Sequence, residues 1–583
     1  MKKQRIVVID SGEGSSYHRC VLPSKYLQGQ VVKIEGNDVE LDFVTVLLDI
    51  KNKTITEEML QDGDVIWFNW LVNNNVTDFG KWKISKNIKF LYSIDDYWNF
   101  PENHPYIERI RNQKNKVLQL AFEADVVVAS TKKLGELLTY FNNNVSYSPN
   151  FLPIGEGQFV SDKKESDKLR IGLLGSSSHV PDYKLLKGAI NRIGNNKELC
   201  KKIEFHICGY TSILSEIKDM FEKKKNIKLV LHEPVDVNNY MSLYNEIDVI
   251  LIPLENNVYN ECKSAIKLAE CLASNTIPIG SELYDGKELT GYCKATTPLE
   301  YENWLSYLLN KANYNNTLNT IKEANSKDND FKGRIESLKS VFETLLNNKF
   351  EQFPEDVKIH GITYNDGQVT EFENYKNNVK TLVEKSWRFE MNPIIDIVTK
   401  STQENGYLGV VSYKFGEKTG LTKKILNRIL LENKYQEYDF INLSRSYWNN
   451  GSDFLKFTEE CHPGITELMK EVVEKVGLTW DVKTETTNYS NFFILKTELY
   501  KDFVNNYCIP ALEYMESDDR FMANATYDVG LSKELLKEHT ELEHYPMIPF
   551  IMERLILFYI MYKRNETKFS SNYNEHFKIL NLI

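Results

Sequence analysis

The sequence predicts an α/β protein in which parallel sheets, covered by helices on both faces, occur more than once along the chain. Three observations lead there. Short apolar runs recur with helical patterns between or after them, two stretches open in the same strand–loop–helix way, and the opening runs end in loops of small residues. Ile6–Ile9 reads as a buried strand that runs into the glycine-bearing loop Asp10–Ser16 and then a segment with Tyr17, His18 and Arg19. Further strand-like runs are Leu41–Leu48, Asp64–Trp67, Ile88–Ile94 and Val126–Ala129, with helical patterns at Ile107–Ala121 and Thr131–Phe141. The pattern breaks near Ser148–Pro153, and Asp162–Lys168 is a charged connector.

The pattern then restarts. Leu169–Leu174 is a strand, Gly175–Asp182 a small-residue loop, and a helix follows from about Tyr183. Strands are expected at Ile203–Cys208, Ile227–Leu231, Val249–Ile252 and Thr276–Ile279, and Arg334–Lys349 as a closing helix. Phe350–His360 reads as a boundary. The third region has strand-like runs at Leu408–Tyr413 and Tyr438–Leu443, and helices at Ile465–Val476, Lys496–Met515 and Pro546–Tyr562. The expected domains are therefore 1–155, 165–349 and 361–583.

At 583 residues the chain is too long for one core. A formal net charge of −11 argues against nucleic acid as a main partner, which needs a basic footprint, without excluding a local basic cleft. The opening Met1–Asp10 has too few apolar residues for a signal peptide, and no apolar run approaches the ~20 residues of a membrane span. The eight cysteines form no CxxC pair, and Cys461-His462 alone makes no zinc site. These features lead us to expect a reduced, cytoplasmic protein without a structural metal or membrane span.

The most informative stretch is Val249–Glu270. An apolar run ends at Pro253, a polar loop follows, and a helix is expected in which Lys263, Lys267 and Glu270 share one narrow face while Ala265, Leu268, Ala269 and Leu272 pack. A strand end, a loop and cationic groups at a helix start make a place for an anionic ligand. The same spacing also suits a surface ladder of ion pairs.

Several pieces occur in a fixed order: Tyr17-His18-Arg19 after the first glycine loop, Tyr92–Tyr97 with Asp95-Asp96, Val127–Thr131, Pro149-Asn150, Gly172–His179, and the block from Pro253 through Lys263-Ser264 and Lys267 to Glu270. With these pieces residues ~1–345 resemble the two-Rossmann-domain (GT-B) glycosyltransferases, closest to their large retaining family. Many relatives carry two acidic residues, the first eight positions before the second. Glu270 matches the second, but Cys262 stands at the first, with Glu261 and Lys263 beside it. Asn491–Lys496, Tyr545–Leu555, Gly406–Phe415 and His462–Gly464 resemble a Rossmann-like (GT-A-like) domain of phage and surface-polysaccharide glycosyltransferases, without an Asp-x-Asp motif. The third region thus reads as a metal-independent second transferase or a silent acceptor-binding module.

The resemblance implies a metal-independent glycosyltransferase with a nucleotide-sugar co-substrate and no tightly bound cofactor. Its acceptor would be a hydroxyl on a glycan, lipid-linked glycan, protein or modified nucleic-acid base. The alternatives are a non-catalytic glycan- or nucleotide-binding scaffold, or an epimerase or phosphorylase of similar fold. Gly175, Ser176 and Ser177 at a helix start would hold the diphosphate, with Ser264, Lys263 and Lys267 adding donors and charge. Gly12 and Gly14 would let the facing loop approach, or simply form a tight turn. Glu270 would accept ribose hydroxyls, and Gly209 with Tyr210 would sit near the base. Asp95 or Asp96 would take the acceptor proton, with alternation along an extended chain pointing one of them into the cleft. His18 and His179 are the other bases to weigh.

Overall fold

The computed structural model describes the chain except residues 1, 50, 71, 109–112, 176, 210, 212–213, 225, 349–352, 365–366, 377–385, 433–434, 444–453, 481–489, 527–532, 564–568 and 571–583. It divides into two compact units, 1–74 with 86–348, and 75–85 with 349–583.

The first unit contains two sheets. The strands of the first are β1 (Lys2–Asp10), β2 (Val31–Ile34), β3 (Asn37–Leu47), β4 (Val65–Asn69), β5 (Lys89–Ile94), β6 (Val126–Ala129) and β7 (Val145–Tyr147), in the order β2-β3-β1-β4-β5-β6-β7. All neighbours are parallel except β2 and β3. That hairpin is absent from the sequence reading, in which Leu41–Leu48 is a lone strand. Glu35 and Gly36 both take positive φ, the two-residue turn that matches the twist of an antiparallel pair. Ile6, Val7, Val8 and Ile9 are all buried, because helices cover both faces of the central strand.

The second sheet has strands β8 (Leu169–Leu174), β9 (Ile203–Cys208), β10 (Leu229–His232), β11 (Val249–Ile252), β12 (Ile277–Gly280) and β13 (Cys293–Lys294), ordered β10-β9-β8-β11-β12-β13 and parallel throughout. The helix Phe331–Asn347 returns to the first sheet, where the Phe342 ring meets Trp67 at 5.3 Å and Phe43 at 5.4 Å. One apolar cluster consequently runs from β1 to the helix Ile266–Ser274.

The second unit has strands β14 (Val357–Thr363), β15 (Glu373–Lys376), β16 (Tyr407–Ser412), β17 (Phe440–Asn442), β18 (Phe493–Lys496) and β19 (Phe569–Ser570), ordered β15-β14-β16-β18-β17-β19. Strand β18 runs antiparallel to both neighbours, so the sheet is mixed. The segment expected as one helix, Lys496–Met515, is the end of β18, the helix Thr497–Phe503, a wide turn Val504–Cys508 and the helix Ile509–Glu516. The helix Ile548–Lys563 is apolar on nearly every face and accordingly buried. No helix among the described residues is long and apolar enough to cross a membrane.

Gly172 on β8 has no room for a side chain, since a Cβ there would lie 2.4 Å from Cδ1 of the buried Ile247. Ile is stiff at χ1 and cannot swing aside. Gly172→Ala is expected to cost about 1–3 kcal/mol through overpacking, read as a lower denaturant midpoint with unchanged far-ultraviolet circular dichroism.

Candidate functional site

The carboxyl ends of β1, β5, β8, β9 and β11 face one cleft of about 800 Å³ inside the first unit. Open α/β sheets hold ligands at this edge. Gly12, Gly14, His18, Asp95, Asp96, Gly175, Gly209, Lys263, Ser264, Lys267 and Glu270 all line it. Ser176 lies outside the described residues, as do Tyr210 and the side chain of Ser177.

On the first sheet's side, the loop after β1 is tied by Asp10, whose Oδ1 accepts from Gly12 N–H at 2.9 Å and from Ser16 Oγ at 3.1 Å. Gly12 takes φ +72°, which a side chain would strain. The chain then passes through a wide helical turn, Tyr17–Val21, with every residue buried. Such turns insert one residue into a helix and often carry functional groups. His18 sits edge-on to Tyr17 and Tyr240, and its Nδ1 is buried with no partner among the described residues. Burial, reinforced by Arg334 and Lys267, pushes the imidazole down to about 4, so it is neutral at pH 7.

Arg19, the next residue, is buried. It donates to Ser148 O (2.5 Å), Asn150 Oδ1 (2.9 Å) and Val128 O (3.2 Å). Asn150 Nδ2 then donates to Ser264 Oγ at 3.1 Å, which joins the two sheets' loops through one amide. Arg334 donates to Phe151 O and His18 O.

Both Asp95 and Asp96 face the cleft, contrary to the alternation expected of an extended chain. Strand β5 ends at Ile94, and the irregular backbone that follows abolishes the alternation. Burial and the neighbouring Asp96 push Asp95 up to about 7, against the pull of Arg19 and the 3.2 Å bond from Asn69 Nδ2. A carboxyl in this state can take or give a proton near neutral pH.

On the second sheet's side, a Cβ on Gly175 would lie 2.7 Å from Tyr183 Oη and 2.8 Å from His179, so only glycine fits. His179 Nδ1 is 3.0 Å from Asp182 Oδ2, and Asp182 Oδ1 accepts from Glu255 N–H and Asn260 Nδ2, each at 2.9 Å. Burial would raise the Asp182 carboxyl, but His179 and these bonds hold it below the usual range. Sequence reasoning passed over Asp182, which stands three residues after His179 and was the available signal.

The helix expected from Lys263 begins at Ile266, preceded by a short turn Val258–Glu261. Lys263 therefore belongs to the intervening loop. Its ammonium rests 4.8 Å from the Tyr259 ring centre, and no carboxylate among the described residues pairs with it. Glu270 is 3% exposed, which replaces the surface ladder with a buried pair to Lys267 at 3.0 Å. Its carboxylate also accepts from Tyr240 at 3.0 Å and Tyr244 at 2.5 Å. Burial alone would raise it, yet Lys267, His18 and Tyr244 hold it below the usual range. The two tyrosines were unread in sequence, because i, i+4 aromatics look like ordinary core.

In the second unit, His462 Nδ1 is 2.7 Å from Ala525 O and its ring packs on Phe550. Arg554 donates to Phe550 O and Thr458, with Glu553 3.6 Å away. Glu390, unread in sequence, is pushed up to about 7 by burial and by Glu553, against Lys418 and bonds from Tyr364 and Ser412.

Because the folded carboxyl of Asp95 binds its proton more tightly than an unfolded one, stability falls as pH rises from about 4 to about 7. Asp95→Asn is therefore expected to raise stability at pH 8 by on the order of 1–3 kcal/mol and to change it little at pH 4, measured by urea unfolding at the two pH values.

No family model matches the chain, and no curated protein matches it. Solved structures do. An alpha,alpha-trehalose-phosphate synthase (UDP-forming) from Burkholderia vietnamiensis aligns over 59% of this chain and 99% of its own, at 11% identity and TM-score 0.39. Sucrose-phosphate synthase from Thermosynechococcus elongatus aligns over 59% and 99%, at 10% identity and TM-score 0.41. A mutant of S. aureus TarM, in complex with Fondaparinux, alpha-GlcNAc-glycerol and UDP, aligns over 49% and 57%, at 11% identity and TM-score 0.35. Likeness at this level does not carry function, and the functional reading rests on the cleft.

Proposed function

We propose that the chain is a nucleotide-sugar-dependent glycosyltransferase that moves a sugar to a hydroxyl acceptor, with the donor held in the cleft of the first unit. One observation carries the reading. An unpaired Lys263 and the start of the helix Ile266–Ser274 meet, in one cleft, a carboxyl that titrates near neutral pH. The N–H groups of Ser264, Ala265 and Ile266 make no backbone hydrogen bond among the described residues. Such an end, with a lysine beside it, suits a diphosphate.

The roles follow from charge. As the glycosidic bond breaks, negative charge grows on the departing diphosphate, and Lys263, Lys267 and the loop amides stabilise it. Buried Arg19 and Arg334 add a positive field. Asp95 accepts the proton of the attacking hydroxyl once deprotonated. Neutral His18 offers a hydrogen bond to a sugar hydroxyl without adding charge. Glu270 already accepts from Tyr240 and Tyr244, so ribose hydroxyls reach it by taking the place of Tyr240. The second unit carries its own perturbed carboxyl, Glu390. A carboxyl of this kind fits a second transferase-like domain, the alternative being a silent acceptor-binding module.

A thermal-shift panel of UDP-, GDP-, dTDP- and CDP-sugars tests the donor site. A true donor at 100 times its Kd stabilises by about 2.7 kcal/mol, and Lys263→Met is expected to weaken its affinity roughly tenfold or more, the worth of a charge-assisted bond. Silence from every donor with wild-type protein would overturn the reading. Asp95→Asn should retain donor binding while losing most transfer, measured as nucleoside diphosphate released in the presence of acceptor.

A further inference from the structure

We infer that Lys287 is a positioning residue that holds the loop Asn260–Ser264 in its anion-binding shape. The inference rests on reading the cleft as a diphosphate site. Lys287 follows Gly286, whose φ of +76° makes the turn that presents it, and Leu289 anchors the far side at 1% exposure. Its ammonium donates to three carbonyls of that loop: Lys263 O at 2.5 Å, Glu261 O at 3.1 Å and Asn260 O at 3.5 Å. Thr131 Oγ1 takes the remaining one, Cys262 O, at 3.1 Å.

Four consecutive carbonyls are thereby turned to one side. Lys287 and Thr131 line a separate cavity of about 660 Å³, whereas Lys263 and Ser264 line the cleft. The loop is a wall between the two. In a trans peptide the carbonyl and the following N–H point opposite ways. Drawing Lys263 C=O toward Lys287 therefore turns Ser264 N–H away from it, on the face where Lys263 and Ser264 meet the cleft. A cation on the carbonyl side also polarises those amides and strengthens them as donors. Glu288, the next residue, accepts from Tyr147 at 2.8 Å, which ties the same turn to β7.

The test measures inorganic pyrophosphate and UMP by isothermal titration on full-length wild type, Lys287→Met and Lys287→Arg, with melting temperatures alongside. Lys287→Met is expected to lose tenfold or more in pyrophosphate affinity with UMP affinity changed less than threefold, and Lys287→Arg to recover most of the loss. A general loss of structure would move both ligands together, so parallel losses overturn the inference, as does unchanged pyrophosphate binding. If Lys287→Met does not fold, Lys287→Gln replaces it, and wild-type pyrophosphate affinity in that variant is likewise decisive against. Failure of wild type to bind pyrophosphate overturns the diphosphate reading itself, and the inference with it.

Discussion

The first unit is organised around two buried guanidinium groups that hydrogen-bond to no carboxylate among the described residues. Arg19 and Arg334 are 1% and 2% exposed, and their bonds go to backbone carbonyls and one amide oxygen. Burying charge without an ionic partner is costly. Burial and their mutual repulsion accordingly depress Arg334 well below its ordinary value. In return the two side chains knit the chain together. Arg19 gathers β6, Ser148 and Asn150, and Arg334 brings the last helix of the unit onto His18 and Phe151. His18, whose carbonyl Arg334 holds, and Asn150, whose amide oxygen Arg19 holds, both line the cleft, so the packing of these cations and the shape of the site share a cause.

That cause explains a pattern in the titrating groups. Burial makes charge expensive on Asp95, His18 and Glu270, and each responds according to its neighbours. Asp95 is driven toward its neutral form, and so is His18. Glu270 stays ionised because Lys267 and two phenols surround it. With Glu270 matched by Lys267, Lys263 is the lysine lining the cleft that makes no ion pair among the described residues, while Arg19 lies in the field of Asp95.

Much of the fold could be read from local pattern. Apolar runs such as Ile6–Ile9 and Leu169–Leu174 mark strands buried on both faces, and the loops after them mark the edge where ligands sit. What was missed depends on partners distant in sequence. Glu270 looked like a surface residue because periodicity sees Lys267 and not the tyrosines 26 and 30 positions away. Lys263 looked helical because nothing local announced that the helix would begin after Ala265. The hairpin of β2 and β3 was hidden because β2 is only four residues long and its turn, Glu35-Gly36, is not one of the usual Asn-Gly or Asp-Gly pairs. Asp182 and Lys287 act only through loops that come near after folding.

The wide turn at Tyr17–Val21 has one more consequence. A helix advances by about 100° per residue, so one extra residue rotates everything after it by that amount. Upstream of the turn the segment keeps phase with the loop tied by Asp10 and Ser16. Downstream, Leu22 and Leu27 keep phase with the core. The two phases are incompatible in an uninterrupted helix, and the extra residue is the gear that meshes them. His18 and Arg19 ride on that gear. The length of this segment cannot change by one residue without turning either the loop or the core out of register.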